Sequence, residues 1–144
     1  MSRKKVIILL LLICIIAIAA SVLFAINKRH TDWVVDAYIA ALENAKLHFS
    51  DYHTTGSDSS YTKGVAAFND AVQIILTEDE RLDIYQERQT LLASYNILSA
   101  HPSSVVENIP ILLSALDRII NEPQKRVSYG ELLVFYNTVN HTTD

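Results

Sequence analysis

Residues 6–26, VIILLLLICIIAIAASVLFAI, form a run of 21 amino acids without a charged side chain, and no other feature constrains the fold more. An α-helix of that length rises about 30 Å, which matches the thickness of the hydrocarbon core of a bilayer. Buried apolar segments of soluble proteins are usually much shorter. The sequence therefore predicts a transmembrane helix at 6–26, which makes the membrane a partner of this chain.

Basic residues flank this segment unequally. Three of them, at positions 3–5, precede it together with the amino terminus, whereas Lys28 and Arg29 follow it. Because basic residues are retained on the cytoplasmic side, the imbalance favours a cytoplasmic tail at 1–5. The remainder of the chain is then expected outside the cytoplasm, attached to the cell membrane as a single-pass signal-anchor protein.

Cleavage of this segment is the alternative. Residues 17–19, Ala-Ile-Ala, resemble a signal-peptidase site, and cleavage near Ala19 or Ala20 would release a secreted protein. The apolar run is longer than the 7–15 residues of a typical signal-peptide core, and it continues beyond this site. The length therefore favours an uncleaved anchor.

The rest of the chain is acidic and has few turn-forming residues. From residue 27 onward the formal net charge is −7, because three of the 12 basic residues precede the apolar segment and all 16 acidic residues follow it. No basic stripe is present, so we expect no nucleic-acid partner. The single cysteine, Cys14, lies in the apolar segment, which excludes an intrachain disulfide. Three glycines and three prolines argue against many short strands.

Apolar residues recur at three- and four-residue spacing through 31–140, which is typical of amphipathic helices. The predicted buried positions are Val34, Tyr38, Ala41, Leu42, Ala45 and Phe49; Tyr61, Val65, Phe68, Val72 and Ile75; Leu82, Tyr85, Leu92, Tyr95 and Leu98; Ile109, Leu112, Leu113, Leu116, Ile119 and Ile120; and Leu132, Leu133, Phe135, Tyr136 and Val139. The fold class is therefore all-α, with the transmembrane helix followed by an antiparallel bundle of four to five amphipathic helices and a frayed tail at 141–144.

Helix boundaries are predicted from capping patterns and prolines. Thr77–Glu80, Ser104–Glu107 and Ser128–Glu131 each match the capping box, so a helix is expected to end near Leu76 and another to begin at Thr77. Pro110 interrupts the fourth amphipathic segment. Either a short helical turn precedes a new start at Asn108, or the helix is kinked there.

The stretch HFSDYHTTGSDSSY, residues 48–61, is the part of the chain that most resembles a metal site. Its arrangement fails for calcium, because the twelfth position of an EF-hand-like loop would be Thr62 instead of a glutamate. His48, Asp51 and His53 are competent zinc ligands, but on a helix the two histidines would lie about 140° apart. We therefore interpret the stretch as a polar loop between helices, and expect no metal or other cofactor unless a further ligand such as His101 folds back.

The tyrosines supply the remaining candidates. Tyr38, Tyr85, Tyr95 and Tyr136 fall on predicted apolar faces, where core packing and an exposed aromatic patch for a partner are both compatible with the pattern. No catalytic motif accompanies them, so we expect no enzyme. The sequence favours a membrane-anchored module for protein interaction or assembly. A sensor that binds a small ligand inside the bundle is the alternative, and a metal-dependent hydrolase using His48, Asp51 and His53 is a third hypothesis.

Overall fold

The computed structural model describes the backbone of residues 3–82, 85–100 and 102–141, and the side chains of 10–77, 87–100 and 103–141. This part of the chain is helical throughout, apart from short connections, and contains no strand. The chain divides into two compact units, Met1–Trp33 and Val34–Asp144. The all-α class predicted from the sequence is confirmed.

The first unit consists of the N-terminal part of helix α1 (Arg3–Thr55). From Leu10 to Ile26 its apolar side chains are exposed on all sides of the helix. Among the described residues, this is the one helix long and apolar enough to cross a membrane. A helix that is apolar all round needs an apolar environment on every side, so this stretch agrees with the predicted span.

The second unit contains the C-terminal part of α1 and the remaining helices. These are α2 (Asp58–Leu82), α3 (Tyr85–Ala100), the single turn α4 (Pro102–Val105), α5 (Ile109–Asn121) and α6 (Gly130–His141). A 3₁₀ turn, Val106–Asn108, precedes α5, and another, Arg126–Tyr129, precedes α6. Of the predicted frayed tail, His141 is the last residue of α6, and 142–144 lie outside the described residues.

A two-residue connection joins α1 to α2. Gly56 has φ of 69°, a left-handed conformation that glycine adopts without steric cost, and its amide donates to the Tyr52 carbonyl at 2.7 Å. The polar stretch 48–61 is therefore helical except at Gly56 and Ser57, and its interpretation as a loop is wrong. Its Ser, Thr and Asp residues occur near helix ends, where their side chains bond the backbone, as Thr54 does with the Ser50 carbonyl.

The core is made from the predicted apolar faces. Its largest fully buried side chains are Tyr38, Leu42 and Phe49 of α1, Phe68 and Ile75 of α2, Leu91 and Leu98 of α3, Ile109, Leu112 and Leu116 of α5, and Phe135 of α6. Leu133 was predicted to be buried, but it is largely exposed because it lies on the solvent side of α6. Leu82 and the side chain of Tyr85 lie outside the described side chains.

The three predicted capping boxes do not start helices. Thr77 lies within α2, and its hydroxyl donates to the carbonyls of Gln73 and Ile74 at 3.0 and 3.1 Å, which satisfies it inside a continuing helix. Ser104 lies within α4. The Ser128 amide donates to the Lys125 carbonyl in the turn before α6, whereas a capping box would require it to donate to the Glu131 carboxylate.

At Pro110, the first of the two predicted alternatives is correct. The turn α4 and the 3₁₀ residues precede a new helix, which has Asn108 at its N-cap and Pro110 in its first turn. A proline fits there because the first amides of a helix have no intrahelical acceptor. The sequence pattern alone did not decide between the break and a kink.

Candidate functional site

The candidate metal ligands lie on the last turns of α1. His48 and His53 lie on one continuous helix, where a spacing of five residues corresponds to about 140° around the axis, so the two side chains do not share a face. The Asp51 carboxylate accepts a hydrogen bond from the Ser60 hydroxyl, which joins the end of α1 to the start of α2. Among the described side chains, no three histidine, cysteine or carboxylate groups are placed to hold a metal ion. His101, the suggested further ligand, lies outside the described residues.

The four candidate interaction tyrosines have separate environments. Tyr38 is 1% exposed and belongs to the core, so its assignment to an interaction surface is wrong. The side chain of Tyr85 lies outside the described residues, although its backbone begins α3. Tyr95 and Tyr136 are partly buried against the core. Tyr95 also lines a groove.

This groove lies between α2 and α3 and has a volume of about 430 Å³. We refer to it as the α2–α3 groove. Helix α2 contributes Tyr61, Thr62, Val65, Ala66 and Asn69, and helix α3 contributes Tyr95, Leu98 and Ser99. Aliphatic and aromatic side chains therefore alternate with hydroxyl and amide groups along an opening to solvent. This composition suits recognition of an apolar side chain whose backbone can bond to the polar groups.

Tyr61 holds the two walls of the α2–α3 groove together. Its hydroxyl donates a 2.6 Å hydrogen bond to the Leu98 carbonyl. In a continuing helix this carbonyl would accept from the amide of residue 102, but residue 102 is a proline and has no N–H. The tyrosine thus satisfies a carbonyl that the sequence leaves without its helical donor.

The ring of Tyr61 is fixed by aromatic neighbours from α1. It packs edge-to-face against Phe49 and Tyr52, with ring centroids 5.8 and 5.0 Å apart. Burial, and secondarily the neighbouring Tyr52, raise the pKa of the Tyr61 hydroxyl well above its ordinary value. The hydroxyl therefore remains protonated at neutral pH and can donate its hydrogen bond. Contacts with α1 fix the ring of Tyr61, and the hydrogen bond to α3 fixes its hydroxyl.

A second cleft, of about 360 Å³, lies between α1 and α5. Glu43, Lys46, Leu47 and Ser50 line it on one side and Ile120 on the other. Lys46 forms an ion pair with Asp117 of α5, and both side chains are partly exposed. An exposed pair of this kind contributes little stability, so the cleft is bordered by charges that can exchange partners readily.

A buried polar cluster joins α1 to the turn before α6. The hydroxyls of Tyr38 and Tyr129 lie 3.2 Å apart, and Tyr129 also donates to the Pro123 carbonyl at 2.7 Å. Burial raises the pKa of Tyr129 to about 12; the hydrogen bond with Tyr38 opposes this rise and the nearby Glu87 carboxylate adds to it. These bonds satisfy hydroxyl groups that would otherwise be costly to bury, which gives the cluster a structural role.

Glu87 is the buried carboxylate next to this cluster. Its side chain is 7% exposed and is paired with Arg126, whose guanidinium Nε lies 3.3 Å away and whose side chain is 78% exposed. A small cleft of about 140 Å³ adjoins the pair. The pairing offsets the cost of burying the charge.

Sequence reasoning placed Tyr61 on a buried face but missed both its bond to Leu98 and the α2–α3 groove. One signal was available: Pro102 stands four residues after Leu98, which leaves that carbonyl without its helical amide. The described residues thus form an all-α fold with one candidate membrane-spanning helix. Comparison with models of protein families, with curated proteins and with solved structures finds no match to this chain.

Proposed function

We propose that this chain is a single-pass membrane protein whose helical bundle binds a protein partner through the α2–α3 groove. The observation that carries the proposal is the composition of this groove: the apolar side chains of Val65 and Ala66, two tyrosine rings, and neighbouring hydroxyl and amide groups. Fully buried apolar anchors surrounded by polar groups are the common anatomy of protein interfaces.

The chemistry of the groove favours a peptide segment that presents one or two apolar side chains. Val65 and Ala66 can contact such a side chain, while Thr62, Asn69 and Ser99 can bond to a peptide backbone. Because Tyr61 and Tyr95 are held partly buried, their rings offer contact area at a small cost in conformational entropy. An amphipathic helix laid between α2 and α3 fits this description.

The proposed location is the cell membrane, with residues 1–5 in the cytoplasm and the bundle outside it. It rests on the exposed apolar stretch and on the excess of basic residues before it. Alkaline carbonate should leave the chain in the membrane fraction. In a Cys14→Ser background, Asn137→Cys on the exposed side of α6 should react with an impermeant maleimide added to intact cells. Labelling that requires permeabilised cells would reverse the proposed orientation.

Site-specific crosslinking tests the groove itself. A photoreactive amino acid at Thr62 should yield a discrete adduct with one protein in intact cells, whereas the same group at Asn137 should not. Ala66→Arg, which places a long charged side chain in the groove, should abolish this adduct. Ala40→Arg is the matched control, because Ala40 is also an exposed helical alanine but does not line the groove.

The decisive result is the difference between these two variants. If Ala66→Arg leaves the Thr62 adduct unchanged, or if Ala40→Arg removes it equally, the groove is not the docking site. Both variants should retain the near-ultraviolet circular dichroism of the packed tyrosines, which separates loss of binding from loss of folding.

Binding of a small ligand is the second candidate function, and the volume of the groove favours it. About 430 Å³ is within the range of small-molecule sites, which extends from roughly 300 to 1,000 Å³. Such sites usually enclose most of the ligand surface, whereas this groove is open along one side. Mass spectrometry of the intact protein under native conditions should detect a stoichiometric small molecule if this function is the correct one.

A further inference from the structure

We propose that His30 and Trp33 form an aromatic pair at the lipid–water interface and fix the level at which α1 leaves the membrane. The inference rests on the proposed membrane crossing and adds a specific lipid contact to it. The rings of the two residues pack edge-to-face with centroids 5.8 Å apart. Trp33 is nevertheless 64% exposed, so most of this large amphipathic ring lacks a protein neighbour.

The position of Trp33 along the helix matches the thickness of the headgroup region. Its Cα lies seven residues beyond Ile26, at an axial distance of about 10 Å. Helical side chains point back toward the amino terminus, and the contact between the rings of Trp33 and His30 agrees with this direction. The ring therefore lies near the level of residue 30, about 6 Å beyond the apolar run. The headgroup region extends about 5–8 Å beyond the hydrocarbon core.

The face that carries Trp33 continues from the apolar span. Val22, Ile26 and Trp33 follow at spacings of four and seven residues, so they occupy one side of the helix, and all three are exposed. Arg29 is four residues before Trp33 and falls on the same side. An apolar stripe that ends in a basic residue and a tryptophan is the pattern of a lipid-facing helix at the interface.

The polar atoms of this segment also suit an interface. The Nδ1 atom of His30 is shielded from solvent and has no hydrogen-bond partner in the described part of the chain. Because the ring of His30 packs against the ring of Trp33, the two rings together present a mainly apolar surface. Lys28 and Arg29, both exposed, can extend toward lipid phosphates while their aliphatic stems lie along the helix.

Trp33 is the single tryptophan of the chain, so its fluorescence reports this position alone. The full chain would be reconstituted into phosphatidylcholine vesicles whose acyl chains carry bromine either near the carboxyl end or near the methyl end. Trp33 should be quenched roughly twofold more by the shallow bromine than by the deep one, since interfacial tryptophans lie at the headgroup level. Emission that is quenched by aqueous acrylamide but by neither brominated lipid would overturn the proposal, as would stronger quenching by the deep bromine.

A matched variant separates this proposal from the membrane crossing on which it rests. In the double variant Ile16→Trp with Trp33→Phe, the single tryptophan lies at the middle of the apolar run. It should be quenched more by the deep bromine than by the shallow one. If this marker responds as expected and Trp33 does not, the membrane crossing stands and the interfacial pair is wrong. If the marker itself is not quenched by lipid, the crossing is wrong.

Discussion

Replacing Gly64 with alanine tests how closely α1 and α2 approach each other. Gly64 is buried in α2, and a Cβ at this position would lie 2.9 Å from both Cδ1 and Cε1 of Phe49. Ordinary contact between carbon atoms requires about 3.5–4.0 Å, so one of the two groups must move by more than half an ångström. Phe49 is fully buried and packs against Tyr61, which leaves its ring little space to withdraw.

Two opposing effects determine the magnitude of the change. Alanine stabilises a helix interior by about 0.5–1 kcal/mol relative to glycine. Inserting a methyl group into a packed core usually costs about 1–3 kcal/mol. We therefore expect Gly64→Ala to lower the free energy of unfolding by about 1 kcal/mol, because the clash exceeds the gain in helix propensity. For a bundle of this size, the melting temperature should fall by about 4 °C.

The measurement is thermal unfolding of the full chain in a mild non-ionic detergent, followed by the near-ultraviolet circular dichroism of the tyrosines. Gly130→Ala is the matched control: Gly130 has helical φ and ψ of −60° and −40°, and a Cβ there would meet nothing within 4 Å. This control should stabilise the protein by about 0.5 kcal/mol. A Gly64→Ala variant that is as stable as the unsubstituted protein, or more so, would refute the close approach to Phe49.

Two further predictions concern the buried tyrosine hydroxyls. Tyr61→Phe should reduce stability by about 1 kcal/mol in the same thermal assay, because the Leu98 carbonyl loses its donor; an unchanged melting temperature would contradict this role. The second is alkaline destabilisation: Tyr129 keeps its proton up to about pH 12 in the folded chain but loses it above its ordinary pKa of 10.0 when unfolded. Its contribution should be complete below pH 10 and fall by about 1.4 kcal/mol per pH unit from there to pH 12, and Tyr129→Phe should reduce this slope in unfolding measured against pH.

The residues that the sequence assigned to the core are mostly correct because helical periodicity depends directly on burial. Val34, Leu42 and Phe49 of α1 and Phe68 and Val72 of α2 follow the three- and four-residue spacing and are buried. Periodicity identifies the buried face of each helix without identifying the helix that packs against that face. For the same reason, the class of fold could be predicted although the partners of each face could not.

Helix ends were harder to predict because capping patterns also occur within helices. The Thr77–Glu80 sequence satisfies the capping box, but no glycine or proline stands near Leu76 to stop α2. A threonine can bond to carbonyls of the preceding turn, so its presence does not require a helix start. The polar stretch 48–61 was wrongly predicted to be a loop for a related reason: residues with hydroxyl side chains are frequent both in loops and in the terminal turns of helices.

The α2–α3 groove depends on how two helices pack, and neither helix encodes that arrangement by itself. Tyr61 and Tyr95 are separated by more than thirty residues in sequence and line the same opening. Tyr38 and Tyr95 have similar patterns in the sequence, yet one is sealed in the core and the other borders the groove. Periodicity assigns both residues to a buried face, but it does not report how completely neighbouring helices cover each one.

The hydrogen bond between Tyr38 and Tyr129 also bears on the order of events during synthesis. Its two residues are 91 positions apart, which at about 5–20 residues per second corresponds to roughly 5–18 seconds of translation. During that interval residues 6–26 have already been synthesised, but Tyr129, the hydrogen-bond partner of the Tyr38 hydroxyl, has not. The core is therefore closed by a segment that is synthesised long after α1. A nascent chain that stops before Tyr129 would carry the complete apolar span together with an unfinished bundle.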